Sequence, residues 1–148
     1  MTTVLGGEQV ASLIEAIAPG SVADHDGSAA WVRAGAWPAV ARGLHDRPEA
    51  DFKFLNSVTG VDYIDHFVVV YHLTSLGHNH SAVIKVRCGE AREDAVVPSA
   101  VPVWRGADLQ EREVYDLMGI RFDGHPNLKR VMLWEGFPGH PHRKDFLR

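Results

Sequence analysis

"FVVVYHLTSLGHNHSAVIKVRC", residues 67–88, is the stretch on which the fold class turns. Residues 67–75 and 81–88 are rich in β-branched and aromatic side chains, which suit a pleated, half-buried surface, and the break "LGHNH" between them is built of turn-forming residues. A third stretch of the same character, residues 52–61, ends at a second break, "DYIDH". The middle of the chain therefore reads as a meander of antiparallel strands. His78 and His80 could chelate a metal as a His-X-His pair, but beside Gly77 and Asn79 at a hairpin tip they read as a solvated turn. Asp62, Asp65 and His66 resemble a catalytic trio, and turn chemistry again accounts for them better.

Helices flank the meander. Upstream, Val10, Leu13, Ile14 and Ile17 recur at helical spacing in residues 8–17, before the stop "APG". "SAAWVRAG" reads as a short strand, and "AWPAVARGLHDRP" as a second helix with Pro38 in its first turn and Pro48 beyond its end. Downstream, "VPVWRGADLQEREVYDLM", residues 101–118, carries the strongest helical signal, interrupted near Gly106 and closed by Gly119. At 100° per residue, Trp104, Ala107, Val114, Leu117 and Met118 share one face of that helix. Glu111 falls among them, whereas Arg112, Glu113 and Asp116 point elsewhere. A carboxylate taken out of water needs a cation or several hydrogen-bond donors, and the arginines of the tail, or of another subunit, are the expected partners of Glu111.

Composition bounds the function. The 148 residues, 45% hydrophobic and 23% charged, suit one globular core. The single cysteine, Cys88, excludes an internal disulfide and reads as a buried structural thiol in a cytosolic setting. The N-terminus lacks the basic and long apolar regions of a signal peptide, and "FVVVYHL" is far shorter than the roughly 20 residues that span a bilayer, so membrane association is expected only through a partner. The net charge of −4 is uneven, with +3 on residues 121–148 and −7 on the rest. A basic tail on an acidic body suggests an interaction segment. Nucleic acid is not the expected partner, because the basic count is modest and no binding module is recognisable.

That tail uses Gly-His-Pro twice, in "GHPNLKR" from Gly124 and "GHPHRKDF" from Gly139. His125, His140 and His142, with Asp123 or Asp145, could be assembled into a zinc site on paper, but Lys129, Arg130, Arg143 and Lys144 oppose a dication and the spacing fits no closed zinc pattern. Glycine opens backbone angles denied to other residues, and proline extends the residue before it, so each tripeptide reads as a stiff bend that aims one imidazole. Ile120, Phe122, Val131, Met132, Leu133, Trp134, Phe137 and Phe146 are too many apolar residues for a free tail. The expectation is a single α+β domain over residues 1–119 and an extended basic docking segment over 120–148, packed partly on its own domain and partly on a neighbour.

"EREVYDLMGIRFDGHPNLKRVMLWEGFPGHPHRKDF", residues 111–146, resembles the C-terminal signature of the 30 kDa subunit family, the C subunit, of NADH-quinone oxidoreductase, respiratory complex I. "FVVVYHLTSL" and "VVPSAVPVWRGADLQERE" extend the likeness upstream, while His142 and "ADLQ" depart from the family's usual apolar and aromatic residues. The resemblance implies an α+β fold with N-terminal helices packed on a mainly antiparallel β-sheet, a further helix near 101–118 and an extended C-terminal arm. It also implies a non-catalytic peripheral-arm subunit, at the cytoplasmic side of a bacterial membrane, packed on the hydrogenase-like D (49 kDa type) subunit and on the B subunit. NADH, FMN, iron–sulfur clusters and quinone would belong to the assembled complex. One cysteine cannot hold a cluster that needs about four ligands, and no Gly-X-Gly-X-X-Gly offers a dinucleotide site, so no cofactor is expected on this chain. Glu111, Arg112, Glu113, Asp116, His125, Arg130, His140, Arg143, Lys144 and Asp145 are the expected interface or tail-anchoring residues, none catalytic. The alternatives are the equivalent subunit of a related membrane-bound hydrogenase or other-donor dehydrogenase complex, and a stand-alone histidine metal-binding protein.

Overall fold

A computed structural model describes residues 2–89 and 92–146. Its centre is strand β5 (Phe67–Ser75), whose alternate residues Phe67, Val69, Tyr71 and Leu73 are fully buried on one face. β4 (Phe54–Asp62) and β6 (His80–Cys88) pair with it on either side, both antiparallel. The meander expected from residues 52–88 is therefore present.

The sheet continues beyond β6 through strands too short to announce themselves. β1 (Thr3–Val4) and β3 (Ala30–Val32) both pair with β6 in parallel, and β2 (Val22–His25) closes the edge antiparallel to β3. The six-stranded sheet has the order β2-β3-β6-β5-β4, with β1 also on β6. The parallel step departs from a pure meander for a simple reason: β3 and β6 are separated by a helix and two strands, a crossover long enough to bring the chain back in the same direction.

Helices cover the face of Val69. α1 (Gly7–Ile17) buries Val10, Ala11 and Ile14, and α2 (Trp37–Asp46) buries Trp37, Val40, Ala41 and Leu44, as their apolar spacing requires. The two helices approach closely at Gly43, where a Cβ would overlap Cγ2 of Ile17. α3 (Ala107–Met118) sits on β4. Its seat is Gly60, where a Cβ would lie 3.0 Å from Val114 Cγ1 and 3.2 Å from Met118 Cγ. Gln110 of the same helix accepts the Val58 N–H at 2.8 Å, satisfying a donor on the outer edge of the sheet. The result is α+β, three helices on a mixed but mainly antiparallel sheet.

α3 is bracketed by β7 (Val96–Pro98) and β8 (Arg121–Asp123), which pair in parallel as a small second sheet. Ile120 and Phe122 thereby enter the core, so the body runs through residue 123 and the first four residues of the expected arm belong to it. From Gly124 onward the chain forms turns rather than an extended strand, and it winds along the outer side of α3.

Candidate docking segment

Glu111 lies on the core side of α3 with no exposed surface, where the helical wheel puts it. Its partner differs from the expected arginine: the carboxyl accepts the Ser99 hydroxyl at 2.6 Å and the Ala100 N–H at 2.7 Å. The loop entering α3 lies on this side, whereas the tail lies on the other, so local donors reach the carboxyl and the arginines do not. Burial pushes its pKa up to about 7, opposed by the Ser99 and Ala100 donors and assisted by the negative charge of Asp108 one turn earlier.

Asp116 is the larger surprise, because it points away from the apolar stripe and is nevertheless fully buried. The tail covers it. One oxygen, Oδ2, accepts three successive N–H groups, from Val131 at 3.1 Å, Met132 at 2.7 Å and Leu133 at 2.9 Å, while Oδ1 receives Arg130 Nη1 at 2.9 Å. Burial alone would raise this carboxyl, but the three N–H groups and the guanidinium outweigh it and hold Asp116 below the ordinary carboxylate value. The outer face of α3 is thus a binding site for the chain's own tail, a use that a one-faced helical wheel does not represent.

Arginines tie the crossing together. Arg130 also donates to Phe137 O at 3.1 Å and Gly139 O at 2.9 Å, and its guanidinium stands over the Phe137 ring. Arg112 reaches from α3 to Lys129 O at 3.2 Å and Arg130 O at 3.3 Å. Five donors in a planar fork let each guanidinium gather carbonyls from separate turns, which an ammonium cannot do as well.

The two Gly-His-Pro histidines hold opposite ends of the helix. His125, its ring fully buried, accepts the Asn127 N–H on Nδ1 at 2.9 Å, which assigns the proton to Nε2. That Nε2–H is donated to Asp108 O at 3.1 Å in the first turn of α3, with the Asp108 carboxylate beside it at 3.1 Å. His140 uses its other nitrogen, donating Nδ1–H to Asp116 O at 2.9 Å near the last turn. Burial lowers the His140 pKa; the Asp116 carbonyl opposes this and the charges of Arg143 and Arg130 reinforce it. Gly124 and Gly139 stand at φ +84° and +92°, the left-handed bends that turn each imidazole back onto the helix. The imidazoles do not converge, and among the described residues no cluster of three His, Cys, Asp or Glu side chains is placed to hold a metal.

At the helix C-terminus Arg143 Nε donates to Met118 O at 2.6 Å and the guanidinium lies over the Phe67 ring, a cation where the helix dipole favours one. His142 N–H meets Leu117 O at 2.9 Å. Lys144 attaches through its backbone N–H, to Asp62 Oδ2 at 2.8 Å, leaving its ammonium exposed. Asp62, buried at the end of β4, also accepts the Ile64 N–H at 2.7 Å. Its turn role is legible in "DYID"; its grip on residue 144 is not. Glu113 and Asp145 are exposed. Cys88 is buried in β6, where burial pushes the thiol up to about 12.

Comparison with known proteins places this arrangement. The family model described as respiratory-chain NADH dehydrogenase, 30 Kd subunit, matches residues 30–148. The C 2 subunit of NADH-quinone oxidoreductase from Rhizobium meliloti (strain 1021) is 46% identical over 108 residues, 71% of this chain and 58% of the relative. The C subunit of NADH-quinone oxidoreductase from Caulobacter sp. (strain K31) is 50% identical over 106 residues, 70% of this chain and 48% of the relative. The chain thus spans about half the length of the curated relatives it matches. Among solved structures, the trypsin-resistant fragment (1-134) of Nqo5 superposes with a TM-score of 0.62 at 31% identity, covering 82% of this chain and 98% of the fragment. The membrane-bound sulfane sulfur reductase, an archaeal respiratory membrane complex, contains a chain that matches with a TM-score of 0.69 at 28% identity, covering 95% of this chain and 85% of its own. Since the family match runs from β3 through the sheet, α3 and the clamped tail, the chain belongs to the 30 Kd subunit family of respiratory-chain NADH dehydrogenase, which includes the C subunit of NADH-quinone oxidoreductase.

Proposed function

We propose that this chain is a non-catalytic subunit of the peripheral arm of NADH-quinone oxidoreductase. In this reading it supports assembly with the quinone-site D subunit and with the B subunit, and it contributes to electron transfer from NADH to quinone only by holding the complex together. NADH, FMN, iron–sulfur clusters and quinone are carried by other subunits. The chain reaches the cytoplasmic side of the membrane through the complex; among the described residues no helix is long and apolar enough to cross a bilayer. The observation that carries the reading is the use of α3: its outer face, Arg112 and Asp116 included, is spent on presenting a tail in one conformation. A segment ordered in advance loses less entropy when a partner binds it.

The test is complementation of a strain lacking this chain by wild type, Arg143→Ala and Asp116→Asn, with assembled complex and NADH-quinone activity both measured. Activity should fall in proportion to assembly. Normal assembly with abolished turnover would overturn a purely structural role. A related respiratory complex with another electron donor or acceptor is the second reading, favoured by the match to the sulfane sulfur reductase chain over 95% of this chain. Identification of the proteins that co-purify with the tagged chain separates the two.

A further inference from the structure

Among the described residues three non-glycine positions stand at positive φ: Asp51 at +53°, Asn79 at +56° and Ile64 at +78°. Aspartate and asparagine tolerate that region because their short polar side chains bond locally; a β-branched residue does not, so Ile64 is the strained one. Burial does not hold it there, since its side chain, in the turn that joins β4 to β5, is 69% exposed. Polar contacts do. The Ile64 N–H donates to Asp62 Oδ1 at 2.7 Å, the Tyr63 N–H donates to His66 O at 2.9 Å, and the Tyr63 ring stacks on His66 with centroids 5.2 Å apart. Hydrogen bonds of an exposed turn contribute little, because water competes for both ends, but Asp62 is only 4% exposed and its bond to Ile64 is sheltered from that competition.

The tail stands at the shelter. Asp62 and Phe67 are the partners that close the β4–β5 ladder, and consecutive tail residues grip both of them. The Lys144 N–H donates to Asp62 Oδ2 at 2.8 Å, and the Arg143 guanidinium lies 5.1 Å from the centre of the Phe67 ring. Arg143 Nε is at the same time fixed to Met118 O, which anchors the grip on α3. One carboxylate therefore serves two connections, Oδ1 for the turn and Oδ2 for the tail. When Lys144 departs, Oδ2 must be solvated, water gains access to Oδ1, and the bond that offsets the backbone strain at Ile64 weakens.

We propose that Arg143 and Lys144 act as a clasp on the closing pair of the β4–β5 hairpin, and that the clasp and the left-handed Ile64 turn are one two-state element. The turn is held in its strained form while the tail is locked, and it relaxes when the tail lets go. This coupling lies within the chain and does not rest on the function proposed above. It is also reciprocal: relieving the strain at Ile64 must tighten the clasp. The experiment is NMR on the isotope-labelled full chain. In wild type, Ile64 should give the strong intraresidue cross-peak between amide and α protons that a positive φ produces. Lys144→Pro removes the donated N–H, and Arg143→Ala keeps it while removing the guanidinium. Each should weaken that cross-peak and accelerate exchange of the Ile64 amide by about tenfold or more, while the amides of β6 keep their protection. Ile64→Gly should do the reverse and slow exchange of the Lys144 amide by about threefold or more, because glycine adopts the same φ without penalty. Ile64→Asn, which tolerates that φ but keeps a side chain, should act in the same direction. An Ile64 cross-peak that stays strong in both tail variants would make the turn autonomous and overturn the proposal. Failure of both Ile64 variants to slow the Lys144 amide would overturn it equally, and that arm decides even if Lys144→Pro does not fold.

Discussion

Arg130 and Asp116 meet at 2.9 Å across the boundary between tail and helix, with the carboxylate wholly out of water and the Arg130 side chain 17% exposed. The pair is held in a network rather than alone, since the same carboxylate also receives three backbone N–H groups. Removing one member of such a network leaves the others buried and unpaired, which costs more than the pair contributed.

Asp116→Ala should therefore release the tail without unfolding the body. A local loss of about 3 kcal/mol is expected from a broken buried pair. Amide exchange at Val131, Met132 and Leu133 should accelerate by roughly 100-fold, while amides of β5 keep their protection. Unchanged exchange at those three amides would show that Asp116 does not hold the tail.

Glu111 predicts a pH dependence of the opposite sign to that of an ordinary carboxylate. Its folded pKa, about 7, lies above the ordinary value of 4.5, so the folded state binds more protons between those two values and stability falls as pH rises through them. The full effect is at most about 3 kcal/mol, present below pH 4.5 and lost above pH 7. His140 works against it, because its lowered pKa makes stability rise as pH passes upward through that of the unfolded imidazole. Comparing wild type with Glu111→Gln cancels the His140 contribution. The glutamine variant should melt with a weaker decline between about pH 5 and pH 7, an interval set by the Glu111 values. Identical pH profiles would mean that Glu111 stays ionised in its site.

Two glycines with similar backbones should respond differently to alanine. Gly119 has φ +78° and Gly124 φ +84°, so each substitution carries a left-handed penalty of about 1 kcal/mol. At Gly124 a Cβ enters open space; at Gly119 it would lie 2.8 Å from His140 Cδ2 and collide with Arg143 Nη2. Gly119→Ala should therefore also free residues 139–143, seen as faster exchange of the Arg143 amide, whereas Gly124→Ala should not. Equal effects would remove Gly119 from the account of the tail.

The histidines should act at separate ends. His125→Ala removes a bond to Asp108 and the acceptor for Asn127, and His140→Ala removes the bond to Asp116 O. Each should cost about 1–3 kcal/mol locally, and the two should add, because they share no partner. A double-mutant cycle with strong coupling would show instead that the tail opens as one unit.

How much of this structure is legible in the sequence depends on pattern length. Nine-residue strands such as Phe67–Ser75 carry enough β-branched residues to be seen, whereas Thr3–Val4, Val96–Pro98 and Arg121–Asp123 are too short to show any period and are defined only by what they pair with. The helical wheel places Glu111 correctly because burial on the core side follows from spacing alone. Its partners do not follow, since Ser99 and Ala100 lie in a loop whose path has no sequence code. Asp116 escapes because the wheel divides a helix into core and solvent, and here solvent is replaced by residues 130–133. The turn role of Asp62 is visible; a bond to a residue 82 positions later is not.

That last bond also orders events during folding. Lys144 N–H closes a loop of 82 residues onto Asp62, and Asp62 reaches its place only when β4 has turned into β5. Asp116 in turn faces the tail only after α3 has settled on Gly60. Loop closure over such a span is entropically costly and is compensated only when the receiving sites already exist. The tail should thus lock last, taking up its fixed posture only on chains whose sheet and helix are already joined, and an assembly step that waits for that posture would pass over incomplete ones.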